Sequence, residues 1–280
     1  MSDVQAPTPA PRITLRTLRQ WAQAGRKFPM LTCYDATLAR WVGRGGVHTL
    51  LVGDTAAQVI LGHETTLPAT VDFLIALTAA VRRGAPEAFV MADMPFGSYQ
   101  CGDDEAVRHA VRFLVEGGAD AVKLEVHADH APLVRRMSRA GVPVVPHIGA
   151  RPQTVRQKGG YGSAGRTRAE AGEVVRTARV MLEQDPAMLL VEAVPAEVGQ
   201  AIVAAAEPLS VPVIGCGAGP DCHGHVVVLH DLLGLNDWQP PFAPRLASLG
   251  QAVADAAQAW ERLVASGDYL RENHPYPMPK

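Results

Sequence analysis

The sequence predicts an α/β chain built on a closed (β/α)8 TIM barrel of parallel strands, entered through an N-terminal helix. Three observations carry this. Short runs rich in Val, Ile and Leu recur with little polar alternation, as strands buried on both faces should. Patterns at helical spacing lie between them. Most runs then end in a charged or polar residue. An open doubly wound sheet would also accommodate the alternation. The polar strand ends favour the barrel, where the carboxyl ends of all strands meet on one face.

Ile13 to Lys27 reads as the first helix, with Leu15, Leu18, Trp21 and Ala22 on one side. Strand runs follow at 29–33, 48–52, 88–92, 120–124, 142–146, 187–191 and 211–216. Helical patterns include Asp103–Glu116, Asp129–Ala140, Arg168–Gln184 and Ala196–Glu207. These make seven units, and a vaguer C-terminal stretch stands for the eighth. Residues 13–270 are expected to form a single catalytic domain. Residues 1–12, expected to be disordered, and 271–280 read as tails, being Pro-rich, polar and aperiodic.

Lys+Arg (26) nearly balance Asp+Glu (28), giving no electrostatic reason to expect a nucleic-acid or membrane-surface partner. No apolar stretch approaches the roughly 18–20 residues that cross a bilayer, and the polar N-terminus does not read as a secretory signal. Four cysteines do not suggest a disulfide framework. The expected location is the cytoplasm.

In order, the runs end at Tyr34-Asp35, Gly53-Asp54-Thr55, Asp93, Lys123 with Glu125, His147, Glu192 and the Gly215–Gly219 turn. Asp54, Asp93 and Glu125 are hard oxygen donors on three different strands, which suits Mg²⁺. Three clustered carboxylates would otherwise repel one another. Lys123 and Glu125, two apart, face the same way. Lys123 either forms a local salt bridge or supplies positive charge to a bound carboxylate or developing oxyanion. Glu192 interrupts an apolar segment, where partial desolvation suits a general base. His147 is either a hydrogen-bonded structural histidine or a substrate contact.

Other motifs carry less. The stretch 160–167 has phosphate-loop spacing, but Arg166 stands where Lys is needed and no strand precedes it. Cys216, Cys222, His223 and His225 lack a second pair at zinc-site spacing. The Gly-rich, basic stretch 153–166 could serve as a mobile loop over the site.

Taken in order, the motifs LTCYDATLA (31–39), LLVGDTAA (50–57), GHETTLPAT (62–70), TAAVRRGAP (78–86), ADMPFGSY (92–99), GADAVKLE (118–125), VPVVPHIGARPQ (142–153), GGYG (159–162), LLVEAVP (189–195) and VPVIGCGAG (211–219) are highly specific. They resemble the 3-methyl-2-oxobutanoate (ketopantoate) hydroxymethyltransferase family of the phosphoenolpyruvate/pyruvate barrel superfamily. The likeness runs from about Thr14 to Tyr269.

That resemblance implies magnesium associated with Asp54, Asp93 and Glu125, directly or through water. It implies 2-oxo acid binding by Asp54, Thr55, Asp93 and Lys123, and proton abstraction by Glu192. It also implies 5,10-methylenetetrahydrofolate as one-carbon donor, 2-dehydropantoate as product and a homo-oligomer, commonly a homodecamer. The sequence departs from the family pattern in four places: Thr55 for Ser, Gly162 for Lys, His223-Gly224-His225 for Asp-Gly-Gln, and Pro241-Phe242 for Lys-Phe. The alternative is a divergent paralogue doing enolate aldol or carbon–carbon lyase chemistry on another 2-oxo acid.

Overall fold

The computed structural model describes residues 11–272. Eight strands close into a barrel: β1 (Phe28–Thr32), β2 (Thr49–Val52), β3 (Phe89–Asp93), β4 (Ala121–Glu125), β5 (Val144–Gly149), β6 (Leu189–Glu192), β7 (Val213–Cys216) and β8 (Gly224–Val227). Every neighbouring pair is parallel, and β8 pairs with β1 to complete the ring. The predicted TIM barrel is the observed fold.

The strand runs sit within a residue or two of their expected places, except that β5 ends three residues later than expected, and the shifts matter at the site. β4 extends to Glu125 and β5 to Gly149, so Glu125 and His147 lie inside the ladder and pair in register. The first helix is shorter than expected, Leu15–Gln23, starting at the Thr14 cap. The helix expected from Asp129 begins as a 3₁₀ turn, Ala128–His130, and becomes α-helical at Ala131–Arg139, with Pro132 in its first turn.

Side chains alternate between two apolar layers. Phe28, Met30, Leu51, Phe89, Met91, Ala121, Val145, Leu190, Ile214 and Val226 fill the barrel interior together with Leu18 of the first helix. Leu50, Val52, Val90, Ala92, Val122, Leu124, Val144, Ile148, Leu189, Val191 and Val213 face the surrounding helices. This parity decides which polar residues enter the site. Two residues beyond Met91, Ala121, Val145 and Leu190 stand Asp93, Lys123, His147 and Glu192, with Glu125 one step above Lys123. The site is therefore the uppermost layer of the barrel interior.

The eighth strand is short, and residues 217–223 return the chain to it with no helix between. That is shorter than the usual crossover of a dozen or more residues, and it leaves no helical period in the sequence to mark the unit. Gly224 is required here, because a Cβ would meet the Phe28 ring at 2.3 Å. His223 lies at the opposite end of the barrel from the site. Its Nδ1 accepts the Val213 N–H at 3.0 Å, and its own N–H bonds the Val213 carbonyl. At the same end Arg82 binds Asp120 and the carbonyls of Gly118 and Ala88, and Asp120 accepts the Val90 N–H.

The chain falls into two compact units, one ending at Val228 and one starting at Leu229. The second holds helices Leu229–Leu232, Leu249–Ser266 and Asp268–Glu272, with an edge contact between Trp260 and Tyr269. Of the expected tails, residues 1–10 and 273–280 lie outside the described residues. Arg12, placed in the N-terminal tail, pairs with Asp120 at 2.7 Å. Among the described residues, no helix is long and apolar enough to cross a membrane.

Candidate active site

Strand register brings the polar residues together: Asp93 lies beside Lys123, Glu125 beside His147, and Gly149 beside Glu192. Asp54, Asp93, Lys123, Glu125 and His147 are all buried, and Glu192 is partly open with a side chain 24% exposed. Gly149 permits the last approach. Its φ is +94°, and a Cβ there would sit 2.4 Å from the Glu192 carbonyl oxygen.

Lys123 is the cation of the cluster. Its Nζ lies 2.9 Å from Asp93 Oδ1 and 3.3 Å from His147 Nδ1. Burial pulls the lysine pKa down, but the charges of Asp93, Asp54 and Glu125 outweigh it and hold the ammonium above its ordinary value. An ammonium can only donate, so His147 accepts at Nδ1 and carries its proton on Nε2. Burial, then the Lys123 charge, lower the His147 pKa and keep the imidazole neutral. Its Nε2 stands 3.4 Å from Glu192 Oε2, too poorly aligned for a full hydrogen bond.

The acids are held by donors. The Asp54 N–H bonds Asp93 Oδ2 at 2.9 Å, and the Gln153 amide bonds Asp54 Oδ2 at 2.9 Å. The Gln153 N–H reaches both Glu125 oxygens at 3.1 Å. Burial, then the Asp93 charge, push Asp54 upward, and burial with the Asp54 charge does the same to Glu125. Three carboxylates, Asp54, Asp93 and Glu125, thus act on one lysine, and the Glu192 charge adds to those on Asp54 and Glu125. Thr55 bonds the buried Tyr34 hydroxyl at 2.5 Å.

This donor set fits a magnesium ion: hard oxygens, uncompensated negative charge, and a buried Asp93 Oδ1 with the Lys123 ion pair but no hydrogen bond. Among the described residues, no three acidic, imidazole or thiol groups come close enough to cage an ion alone. Magnesium characteristically takes one or two protein carboxylates and completes its shell with water and substrate oxygens.

The family model for ketopantoate hydroxymethyltransferase matches residues 12–272. The chain belongs to the ketopantoate hydroxymethyltransferase family. It is 43% identical over 257 residues to the 3-methyl-2-oxobutanoate hydroxymethyltransferase of Anaeromyxobacter sp. (strain Fw109-5), covering 90% of this chain and 83% of that one. To the enzyme of the same name from Syntrophus aciditrophicus it is 40% identical, covering 95% and 97%. Among solved structures, a 2,3-dimethylmalate lyase of the PEP mutase/isocitrate lyase superfamily superposes with a TM-score of 0.59 at 19% identity, over 92% of this chain and 89% of that one. A phosphonopyruvate hydrolase solved with oxalate and magnesium gives 0.58 at 12%, over 95% and 92%. At such identities these two likenesses concern the fold.

In this hydroxymethyltransferase-family barrel, Asp54, Thr55, Asp93, Lys123, Glu125, His147 and Glu192 all stand at the carboxyl ends of the strands. Asp35, also expected among the strand ends, instead caps helix Ala36–Arg44, accepting the N–H groups of Thr37 and Leu38. Three further residues belong to the site's wall. Gln153 bridges two of the acids, Tyr99 donates to the Gln153 side-chain oxygen Oε1 at 2.6 Å, and Tyr34 holds Thr55. Tyr34 was visible as a strand-end polar residue. Gln153 and Tyr99 sit in loops, where no period marks the buried side.

Of the departures from the family pattern, His223 is spent on a backbone contact at the far end of the barrel. Gly162 follows Gln153 in the exposed stretch after β5.

Proposed function

We propose that this chain transfers a hydroxymethyl group from 5,10-methylenetetrahydrofolate to C3 of 3-methyl-2-oxobutanoate. With one water consumed, the products are 2-dehydropantoate and tetrahydrofolate, a step toward pantothenate in the cytoplasm. The observation that carries this reading is the placement of Glu192, a partly open carboxylate beside a buried set of oxygen donors containing one lysine.

A magnesium ion associated with Asp54, Asp93 and Glu125 would supply Lewis acidity to the carboxylate and keto oxygens of the substrate. Lys123 adds fixed positive charge near the oxygen that gains negative charge as the C3 proton leaves. Glu192 takes that proton at its carboxylate. His147, neutral and with its Nε2 3.4 Å from Glu192 Oε2, stands beside the base without competing for the proton. Thr55, fixed by Tyr34, offers a hydroxyl to the 2-oxo acid. Burial of the lysine, acids and imidazole keeps bulk water from screening these charges.

The test is direct. Purified protein given both substrates and Mg²⁺ forms 2-dehydropantoate by mass spectrometry, and EDTA suppresses it. Absence of that product from correctly folded protein, with Mg²⁺ present, overturns the reading.

A further inference from the structure

Gln153 lies on the 3₁₀ turn Pro152–Thr154 that follows β5, and it is 5% exposed although it belongs to a loop. Its backbone N–H meets both oxygens of Glu125 at 3.1 Å. Its side-chain Nε2 donates to Asp54 Oδ2 at 2.9 Å and to the Met94 carbonyl at 3.0 Å. Its Oε1 accepts the Tyr99 hydroxyl at 2.6 Å, and that hydroxyl also lies 3.2 Å from the Glu125 carbonyl. Because Nε2 faces two pure acceptors and Oε1 faces a hydroxyl, the amide can point only one way. Both of its N–H groups are used.

We propose that Gln153 is a positioning residue that holds the carboxylates of Asp54 and Glu125 in fixed relation to each other, with Tyr99 locking its orientation. The chemistry selects this side chain. Two buried like charges need a neutral bridge with donors for both, and Tyr99 needs an acceptor. Glutamate would set a third acid against Asp54, lysine has no acceptor for Tyr99, and asparagine falls short by one carbon–carbon bond, about 1.5 Å. The Thr154 hydroxyl and N–H both bond the Arg151 carbonyl, at 2.7 and 2.9 Å, which fixes the turn and aims the Gln153 N–H at β4.

The kinetic arm of the test rests on the proposed function; the structural arm does not. Gln153→Met keeps length and removes the side-chain donors. In its crystal structure Asp54 leaves the rotamer it holds in the unsubstituted protein, whereas Glu125, still bound by the backbone N–H, stays. The kcat for C3 proton exchange of 3-methyl-2-oxobutanoate falls about 100-fold, the scale of a 1 Å misplacement. Its KM rises by a smaller factor than kcat falls, about three- to tenfold, because Asp54 is displaced while the Lys123–Asp93 pair stays.

Tyr99→Phe, which removes a single hydroxyl and keeps the fold if the methionine variant loses it, lowers kcat about three- to tenfold, the worth of one hydrogen bond. Combined with Gln153→Met it adds nothing, since its effect runs through Gln153. Asp54 in its original place with kcat unchanged in either variant overturns the proposal, as does full additivity of the two. If unsubstituted protein itself fails to exchange C3, the proposed function falls, and the Asp54 rotamer in the variant crystal decides the role of Gln153 alone.

Discussion

Removing the lysine charge at the barrel mouth should cost the fold as much as the chemistry. In Lys123→Met the Asp93 carboxylate, 4% exposed and 2.9 Å from Nζ, loses its cation and keeps only the Asp54 N–H. Coulomb attraction at that separation, with an effective dielectric constant of about 20, is roughly 6 kcal/mol. Breaking a buried pair by deleting one partner typically destabilises by about 3–5 kcal/mol, the stranded charge being the larger part. Asp54 and Glu125 stand behind Asp93, which places this site toward the upper end. At about 2–4 °C per kcal/mol for a chain of this size, the midpoint of thermal unfolding should drop by about 6–20 °C. Circular dichroism melts in EDTA measure it without contribution from bound metal. The double variant Lys123→Met/Asp93→Asn, with the stranded charge neutralised, should recover more than half of the loss. A single-variant drop below about 2 °C, or a double variant as unstable as the sum of its parts, would mean that Asp93 does not depend on Lys123.

Other expectations can be checked with the same protein. Glu192→Gln should fold normally and lower the rate of 2-dehydropantoate formation about 10²–10⁴-fold, the usual cost of losing a general base; unchanged turnover removes the assignment. Gly149→Ala places a Cβ 2.4 Å from the Glu192 carbonyl at φ +94°, so denaturant melts should show a loss of at least about 2 kcal/mol, and a neutral result would mean that β5 and β6 part readily enough to admit a methyl group. Burial, then the Lys27 charge, lower the His223 pKa below the usual 6.5, and its Nδ1 accepts a backbone N–H. The folded protein therefore resists that proton more than the unfolded chain does. This contribution is complete above about pH 6.5 and is lost as the pH falls toward the folded pKa. His223→Asn keeps an acceptor that does not titrate, so its melting point should fall less than that of the unsubstituted protein between about pH 7.5 and 5.5; equal falls would contradict the role.

The barrel was legible because parallel strands buried on both faces leave uninterrupted runs of Val, Ile and Leu. The placement of the candidate site was legible for the same reason: a charged residue closing such a run, as Asp93 and Glu192 do, must end at the barrel mouth. Lys123 and Glu125 announced a shared face by their spacing of two. Less was readable where period fails. The eighth strand, Gly224–Val227, is short, starts with a glycine packed on Phe28, and follows β7 without a helix. Asp35 closes its run as the site acids do, yet caps a helix, a difference set by backbone direction after Tyr34. Gln153 lies within VPVVPHIGARPQ, but nothing in a Pro- and Arg-flanked loop shows that its side chain turns inward between two carboxylates.

In the proposed function the buried acids, one lysine and Glu192 together make the C3–H bond of a branched 2-oxo acid labile. Proton NMR of 3-methyl-2-oxobutanoate in D₂O, with the protein and Mg²⁺ but no folate, tests it most directly. The C3 proton signal should disappear, the methyl doublet should collapse to a singlet, and EDTA should stop both. A doublet that persists unchanged in the presence of folded protein and Mg²⁺ would contradict it.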